Sequence, residues 1–270
     1  AWLAAVVQRA EAPDSTLQAE AQVLPTDPDT ALVLTQSTNP YEHPADAYAA
    51  IYHHEGSTAT RVALIYLPYE LRLALDRILP WPDGGVAISL KGGNGGNCWN
   101  CGGLLLLEWE DGALRMMPLG AQLGGWLAPT EAIPGLIPGR FDDLDGDGRL
   151  ELVVGDTRFE LAFDLCHACS PASNVVFAWR DGAFKDVSAQ FPDHYGPCRI
   201  APDAELAGKY QALGQTISQL LGCIHSGRTE SGWRQFQAWA HATGDPRIAK
   251  VVPELARRLG LKLATSEPTS

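Results

Sequence analysis

One short pattern occurs twice in the chain, and this repetition limits the fold more than any other feature. Leu104-Leu-Leu-Leu-Glu-Trp109-Glu-Asp-Gly112-Ala-Leu is echoed by Val175-Val-Phe-Ala-Trp179-Arg-Asp-Gly182-Ala-Phe. Each copy reads as a strand, an Asp-Gly turn and a returning strand, because Asp-Gly accepts the positive φ angles of a two-residue hairpin. A C-x-x-C pair precedes each copy: Cys98 lies 11 residues before Trp109, and Cys166 lies 13 before Trp179. Tyr48-Ala-Ala-Ile-Tyr-His-His-Glu-Gly56 is a fainter third copy without cysteines. Hairpin repeats of this kind predict a mainly β fold.

The pattern sets the expected organisation. From 46 to 197 short apolar runs alternate with Gly, Asp, Asn and Pro, the texture of a β-repeat domain. Residues 1–45 are rich in Ala, Pro and Thr and read as an extended segment, with one alternating run, Leu17–Leu24, that suits an edge strand. After Cys198 the period changes. Leu206, Tyr210, Leu213, Ile217 and Leu220 recur at helical spacing, and Trp233–Thr243 and Arg247–Leu259 predict two further helices, the last interrupted at Pro253. A helical C-terminal segment, 198–263, is therefore expected, followed by a tail over 264–270.

The chain's 270 residues are 46% hydrophobic, enough for a substantial core. A net charge of −12 repels phosphate backbones and argues against nucleic acid as a partner. No run approaches the roughly 20 apolar residues of a membrane-spanning helix. The apolar start, Ala1–Val7, reads as the tail of a signal or anchor segment or as the start of a processed chain, and favours export.

The motif with the most definite chemistry is Phe141-Asp-Asp143-Leu-Asp145-Gly-Asp147-Gly148-Arg149-Leu-Glu151-Leu-Val-Val-Gly155. Counted from Asp143, carboxylates fall at positions 1, 3, 5 and 9, with Gly at 6. Ca²⁺ takes six to eight oxygens at about 2.3–2.6 Å, and alternate positions of a tightly wound loop turn theirs to one centre. Asp143, Asp145, Asp147 and Glu151 are the expected side-chain ligands, with the Arg149 carbonyl completing the set. The ion is expected to rigidify the loop rather than to do chemistry. A helix-loop-helix site needs Glu at position 12, where this chain has Val154, and the following Leu-Val-Val is strand-like.

Asp143-Leu-Asp-Gly-Asp-Gly-Arg-Leu-Glu-Leu-Val-Val resembles the calcium loop of FG-GAP/VCBS repeats, the blades of integrin-α-like β-propellers. The Trp-x-Asp-Gly hairpin followed by Asp186-Val-Ser188 is similar to such proteins from bacteria. The resemblance covers about residues 139–190 well and 46–190 faintly. It implies propeller-like hairpin repeats, stabilised by Ca²⁺, in an extracellular protein that binds partners. The chain has one good loop and roughly 150 β residues, too few for a seven-bladed ring. A short or incomplete array, a compact sheet of another kind, or a ring completed by several chains remain as readings.

The six cysteines admit several states. Cys98, Cys101, Cys166 and Cys169 fit disulfides, within each pair or crossed between the loops; a Cys₄ Zn²⁺ site; or a redox dithiol. The exported family favours disulfides. A redox pair is expected at a helix N-terminus, whereas both pairs here precede hairpins. Cys198 and Cys223 flank the first C-terminal helix and are expected to form a disulfide.

Other signals are weaker. Gly92–Asn100 partly matches a calcium β-roll repeat but occurs once, so it reads as a loop. His53 and His54 are adjacent on a strand and face opposite sides. Trp99, beside Asn97 and Asn100, is a candidate for stacking on a sugar or peptide. No Gly-x-Ser-x-Gly or His-Glu-x-x-His motif occurs. The expected function is therefore a secreted, periplasmic or cell-surface calcium-stabilised binding or assembly module, with a protein or glycan partner or self-assembly. The alternative is a thiol-disulfide oxidoreductase or zinc-stabilised protein using the two C-x-x-C pairs. Binding is favoured over catalysis.

Overall fold

The structure is a computed structural model, and it describes residues 2–11, 17–37, 47–67, 72–81, 85–93, 102–117, 119, 123, 136–201, 210 and 212–261. Cys98, Cys101, Trp99, the expected helix start at 203–209 and the tail at 264–270 lie outside these residues.

The described strands form antiparallel sheets whose neighbours follow chain order. The first contains β1 (Leu17–Leu24), β2 (Asp27–Ser37), β3 (Tyr48–Glu55) and β4 (Thr58–Tyr66). The second contains β5 (Arg72–Pro80), β6 (Val86–Gly93), β7 (Gly102–Glu110) and β8 (Ala113–Met116), with β9 (Leu136–Ile137) paired to the first half of β7. Gly103 makes that pairing possible, since a Cβ there would lie 2.0 Å from the Ile137 carbonyl oxygen. The third sheet contains β10 (Gly139–Asp142), β11 (Glu151–Gly155), β12 (Asn174–Arg180) and β13 (Ala183–Asp186).

The repeat read in the sequence marks one place in each sheet. β3–β4, β7–β8 and β12–β13 are the third and fourth strands of their sheets. The Asp-Gly turns are as expected, with Asp111 and Gly112 at φ 49° and 77° and Asp181 and Gly182 at 53° and 73°. The fold is mainly β with C-terminal helices. Each sheet carries an open four-stranded antiparallel meander, to which β9 is added in the second, and no sheet closes into a barrel among the described strands.

The chain divides into two compact units: Ala1–Arg140 with Arg180–Phe184, and Phe141–Trp179 with Lys185–Ser270. In the first unit, Leu32, Leu34, Ala49 and Ile51 share a core with Ile88, Leu90, Leu105 and Leu107 of the second sheet. The alternate residues of the first sheet, Val33, Ala50 and Tyr52, pack with Val6 of α1 (Trp2–Glu11), and Trp2 stacks on His54 at 4.7 Å. The central strands β2 and β3 are thus buried on both faces along Thr30–Thr35 and Ala49–Tyr52, where the sequence reads as continuous apolar runs. Residues 1–45 were expected to be an extended segment. The edge strand expected over Leu17–Leu24 is β1, at the end of its sheet, but Trp2–Glu11 is a helix, because its apolar start finds a sheet face to cover.

The second unit holds β11, β12 as far as Trp179, and the helices α2 (Ala212–His225), α3 (Thr229–Thr243) and α4 (Pro246–Leu259). Leu213, Ile217 and Leu220 of α2 form one core with Trp233 and Phe236 of α3, Val251 and Leu255 of α4, and Phe159 and Leu165 from the segment after β11. Each such side chain gains about 1.5–3 kcal/mol by burial. Asp245 caps α4 by accepting the Arg247 N–H at 2.8 Å, and Gly260 ends it in the left-handed region. Pro253 does not divide this helix, contrary to expectation. Ile248 and Leu255, on either side of it, are both fully buried, and their packing holds one continuous element across the missing hydrogen bond.

Candidate functional site

The acidic loop joins the first two strands of the third sheet. Its winding is set by side chains that bond its own backbone. Asp143 accepts the N–H groups of Gly146 at 2.8 Å and Gly148 at 3.1 Å. Asp145 accepts that of Asp147 at 3.2 Å, and Asp147 accepts that of Arg149 at 2.7 Å. Gly146 and Gly148 sit at φ 75° and 84°, which a side chain would strain.

This winding brings oxygens of Asp143, Asp145 and Glu151 within 4.8 Å of one another, a group able to hold a metal ion. Asp143 and Asp145 are exposed, while Glu151 is buried at the start of β11 and accepts the Leu144 N–H at 3.0 Å. Burial pushes the Glu151 carboxyl above its usual range; the Leu144 bond opposes this, and the charges of Asp145 and Asp147 add to it. A carboxylate placed so gains from a cation, and the all-oxygen donor set suits a hard one. Three of the four expected side chains are therefore gathered. Asp147 stands outside the group, with its carboxylate on the Arg149 N–H.

The cysteine readings resolve in part. Cys166 is bonded to Cys169 and Cys198 to Cys223. The second pairing is the expected one, and it ties residue 198 to α2. Closure within the Cys166–Cys169 pair corrects two alternatives, a crossed bridge between the two loops and a Cys₄ zinc site, because neither sulfur remains a free thiolate. Cys166 and Cys169 bracket a single 3₁₀ turn, His167–Cys169, ahead of β12.

His53 and His54 behave as an alternating pair. His53 faces Thr30 Oγ1 at 3.0 Å, while His54 lies against Trp2. Neither belongs to the acidic group described above.

A cleft of about 290 Å³ in the second unit is lined by Asn174, His194, Tyr195, Arg199, Gln219 and Cys223, among others. Two of its polar side chains, Gln219 and Ser218, are engaged in structure. Gln219 bonds both backbone groups of Ala201, at 2.9 and 3.0 Å. Ser218 donates to the Gly214 carbonyl and accepts the Ala172 N–H, each at 2.8 Å. The Tyr195 hydroxyl is pushed up to about 12 by burial, so it stays neutral. The cleft therefore shows no activated nucleophile among the described residues.

Sequence reasoning missed one cluster. Asp156, just past β11, meets His225 at the end of α2, with Oδ2 to Nε2 at 3.2 Å. Arg158 grips the same carboxylate through Nη2 at 2.7 Å and Nε at 2.9 Å. The pair is separated by 69 residues in sequence and no local motif announces it. Comparison with protein-family models, curated proteins and solved structures finds no match to this chain.

Proposed function

We infer that the chain is a calcium-stabilised binding or assembly module of FG-GAP/VCBS-like, propeller-related design, working in an oxidising compartment outside the cytoplasm. The observation that carries this reading is the convergence of Asp143, Asp145 and Glu151 at the joint between β10 and β11. Bound there, Ca²⁺ would supply charge neutralisation, and the protein's part would be to hold the carboxylates at the mouth of a sheet. The two disulfides are compatible with export. The four-stranded meanders are compatible with blades.

Binding rather than catalysis is favoured because Ser218 and Gln219, at the cleft of the second unit, are engaged in holding the fold. Protein or glycan is the partner class, and self-assembly has a specific support. β4 lies at the end of its sheet with Val62 48% and Tyr66 68% exposed, an edge that another strand could extend.

The test is a metal analysis of protein purified without chelator, joined to thermal melts in Ca²⁺ and in EGTA. One calcium per chain and a higher midpoint in Ca²⁺ are expected, with the difference abolished in Asp145→Ala. Melting indifferent to EGTA in the parent protein would end the reading.

A further inference from the structure

The turn carrying Cys166 and Cys169 is held by bonds that do not involve its sulfurs. The Cys169 N–H donates to the Cys166 carbonyl at 2.9 Å, and the Ser170 N–H donates to that of His167 at 3.2 Å. The Ser170 hydroxyl donates to the Cys166 carbonyl at 3.0 Å and accepts the Leu161 N–H at 2.9 Å. Two residues further on, Ala172 is anchored to Ser218 of α2. The Cys169 carbonyl also lies against Gly214, where a Cβ would come within 1.8 Å of its oxygen. With this scaffold in place, opening the S–S bond leaves both sulfurs on the same folded turn.

The two disulfides differ in what they constrain and in who can reach them. Cys198–Cys223 spans 25 residues, whereas Cys166–Cys169 spans three and removes far less freedom from the unfolded chain. Cys223 is 1% exposed and Cys198 half-buried, so neither sulfur of that pair belongs to an exposed residue. Cys166 is exposed and Cys169 half-buried, so an incoming thiolate meets one sulfur and leaves the other shielded. His167, between them, is exposed and is held through Nδ1 by Glu160 Oε1 at 3.0 Å. An imidazole on the same turn is the kind of neighbour that accompanies reactive cysteines.

We propose that Cys166–Cys169 is a redox site that accepts electrons from a dithiol, by attack on the exposed Cys166 sulfur. This activity goes beyond the calcium reading and does not depend on it. A substrate thiolate forms a bond to Cys166 Sγ, and the Cys166–Cys169 bond breaks with its electron pair passing to Cys169 Sγ, which takes up a proton. The substrate's second thiol, losing its proton, attacks the substrate sulfur of this mixed disulfide and expels Cys166 as a thiolate. The dithiol is oxidised to a disulfide by two electrons, and the Cys166–Cys169 disulfide is reduced to two thiols.

The test places the full chain in graded glutathione buffers, traps thiols by alkylation at low pH and maps them by mass spectrometry. Cys166 and Cys169 are expected to open together at a glutathione ratio at least about tenfold more oxidising than the one that opens Cys198–Cys223. Cys169→Ser treated with oxidised glutathione is expected to carry glutathione on Cys166. Thermal unfolding is expected to stay cooperative after the Cys166–Cys169 bond alone is opened. Equal midpoints for the two disulfides would overturn the proposal, as would a Cys166 without adduct in a folded Cys169→Ser protein. Loss of cooperative unfolding on opening that bond would overturn it too. The titration of the unsubstituted protein decides the matter even if Cys169→Ser does not fold.

Discussion

Asp156 is held by two partners in the second unit, Arg158 and His225. Its side chain is fully enclosed, as is that of His225 at 1% exposure, and Arg158 closes the other side. Burial alone would push the Asp156 carboxyl up, but the hydrogen bonds and charges of Arg158 and His225 outweigh it and hold it below the ordinary value. A carboxyl depressed in the folded state adds stability above its unfolded pKa and loses that contribution as pH falls through the folded one. Acid titration of the parent protein is therefore expected to show a stability loss below about pH 4 that Asp156→Asn lacks. The measurement is denaturant unfolding from pH 6 to 2. At neutral pH Asp156→Asn removes the enclosed charge that Arg158, itself a quarter exposed, and His225 hold, and a loss of about 1–3 kcal/mol is expected in the same assay.

Among the elements, α2 has the most to hold. It carries the helical core on Leu213, Ile217 and Leu220, the disulfide to Cys198, the Asp156 contact at His225 and the seat for the Cys169 carbonyl at Gly214. The seat allows no side chain. Gly214→Ala is expected to displace the turn and to cost about 1–3 kcal/mol, seen as a lower denaturant midpoint with an unchanged slope. The disulfide acts on the unfolded chain instead. Replacing Cys198 and Cys223 together with Ser is expected to lower stability by about 3 kcal/mol, as loop entropy for a crosslink of this span predicts. Calorimetry of the double variant under reducing and oxidising conditions would check it. If the parent protein and the double variant, both in reductant, melt at different temperatures, the missing crosslink is not the cause.

For the molecule as a whole, a bound cation acts by mass action on the folded state. Ca²⁺ at a hundred times its dissociation constant is expected to add about 2.7 kcal/mol, visible as a rise of several degrees in the calorimetric midpoint. Mg²⁺ at the same concentration is expected to do less, since it demands a tighter octahedron than this loop of mixed exposed and buried carboxylates offers. Equal effects of the two ions would point to charge screening of the net −12 chain rather than to a site.

Local chemistry in the sequence was enough for several features. Asp111-Gly112 and Asp181-Gly182 declared their turns because few residue pairs tolerate two successive positive φ angles. Asp245, Pro246 and Gly260 bounded a helix by capping and by backbone geometry. Spacing alone placed Asp143, Asp145 and Glu151 on one loop. Non-local partners decided the rest. Whether Trp2–Val7 remained extended depended on a sheet face built by Val33 and Ala50. Whether Pro253 broke its helix depended on the core that receives Ile248 and Leu255. The oxidation state of Cys166 depended on where Cys169 was held, and the Asp156–His225 contact joins residues that nothing in the intervening chain relates. Turns, caps and loop ligands draw their free energy from neighbours a few residues away, so a linear string records them. Burial and pairing across the chain draw theirs from surfaces that exist only once the chain has folded.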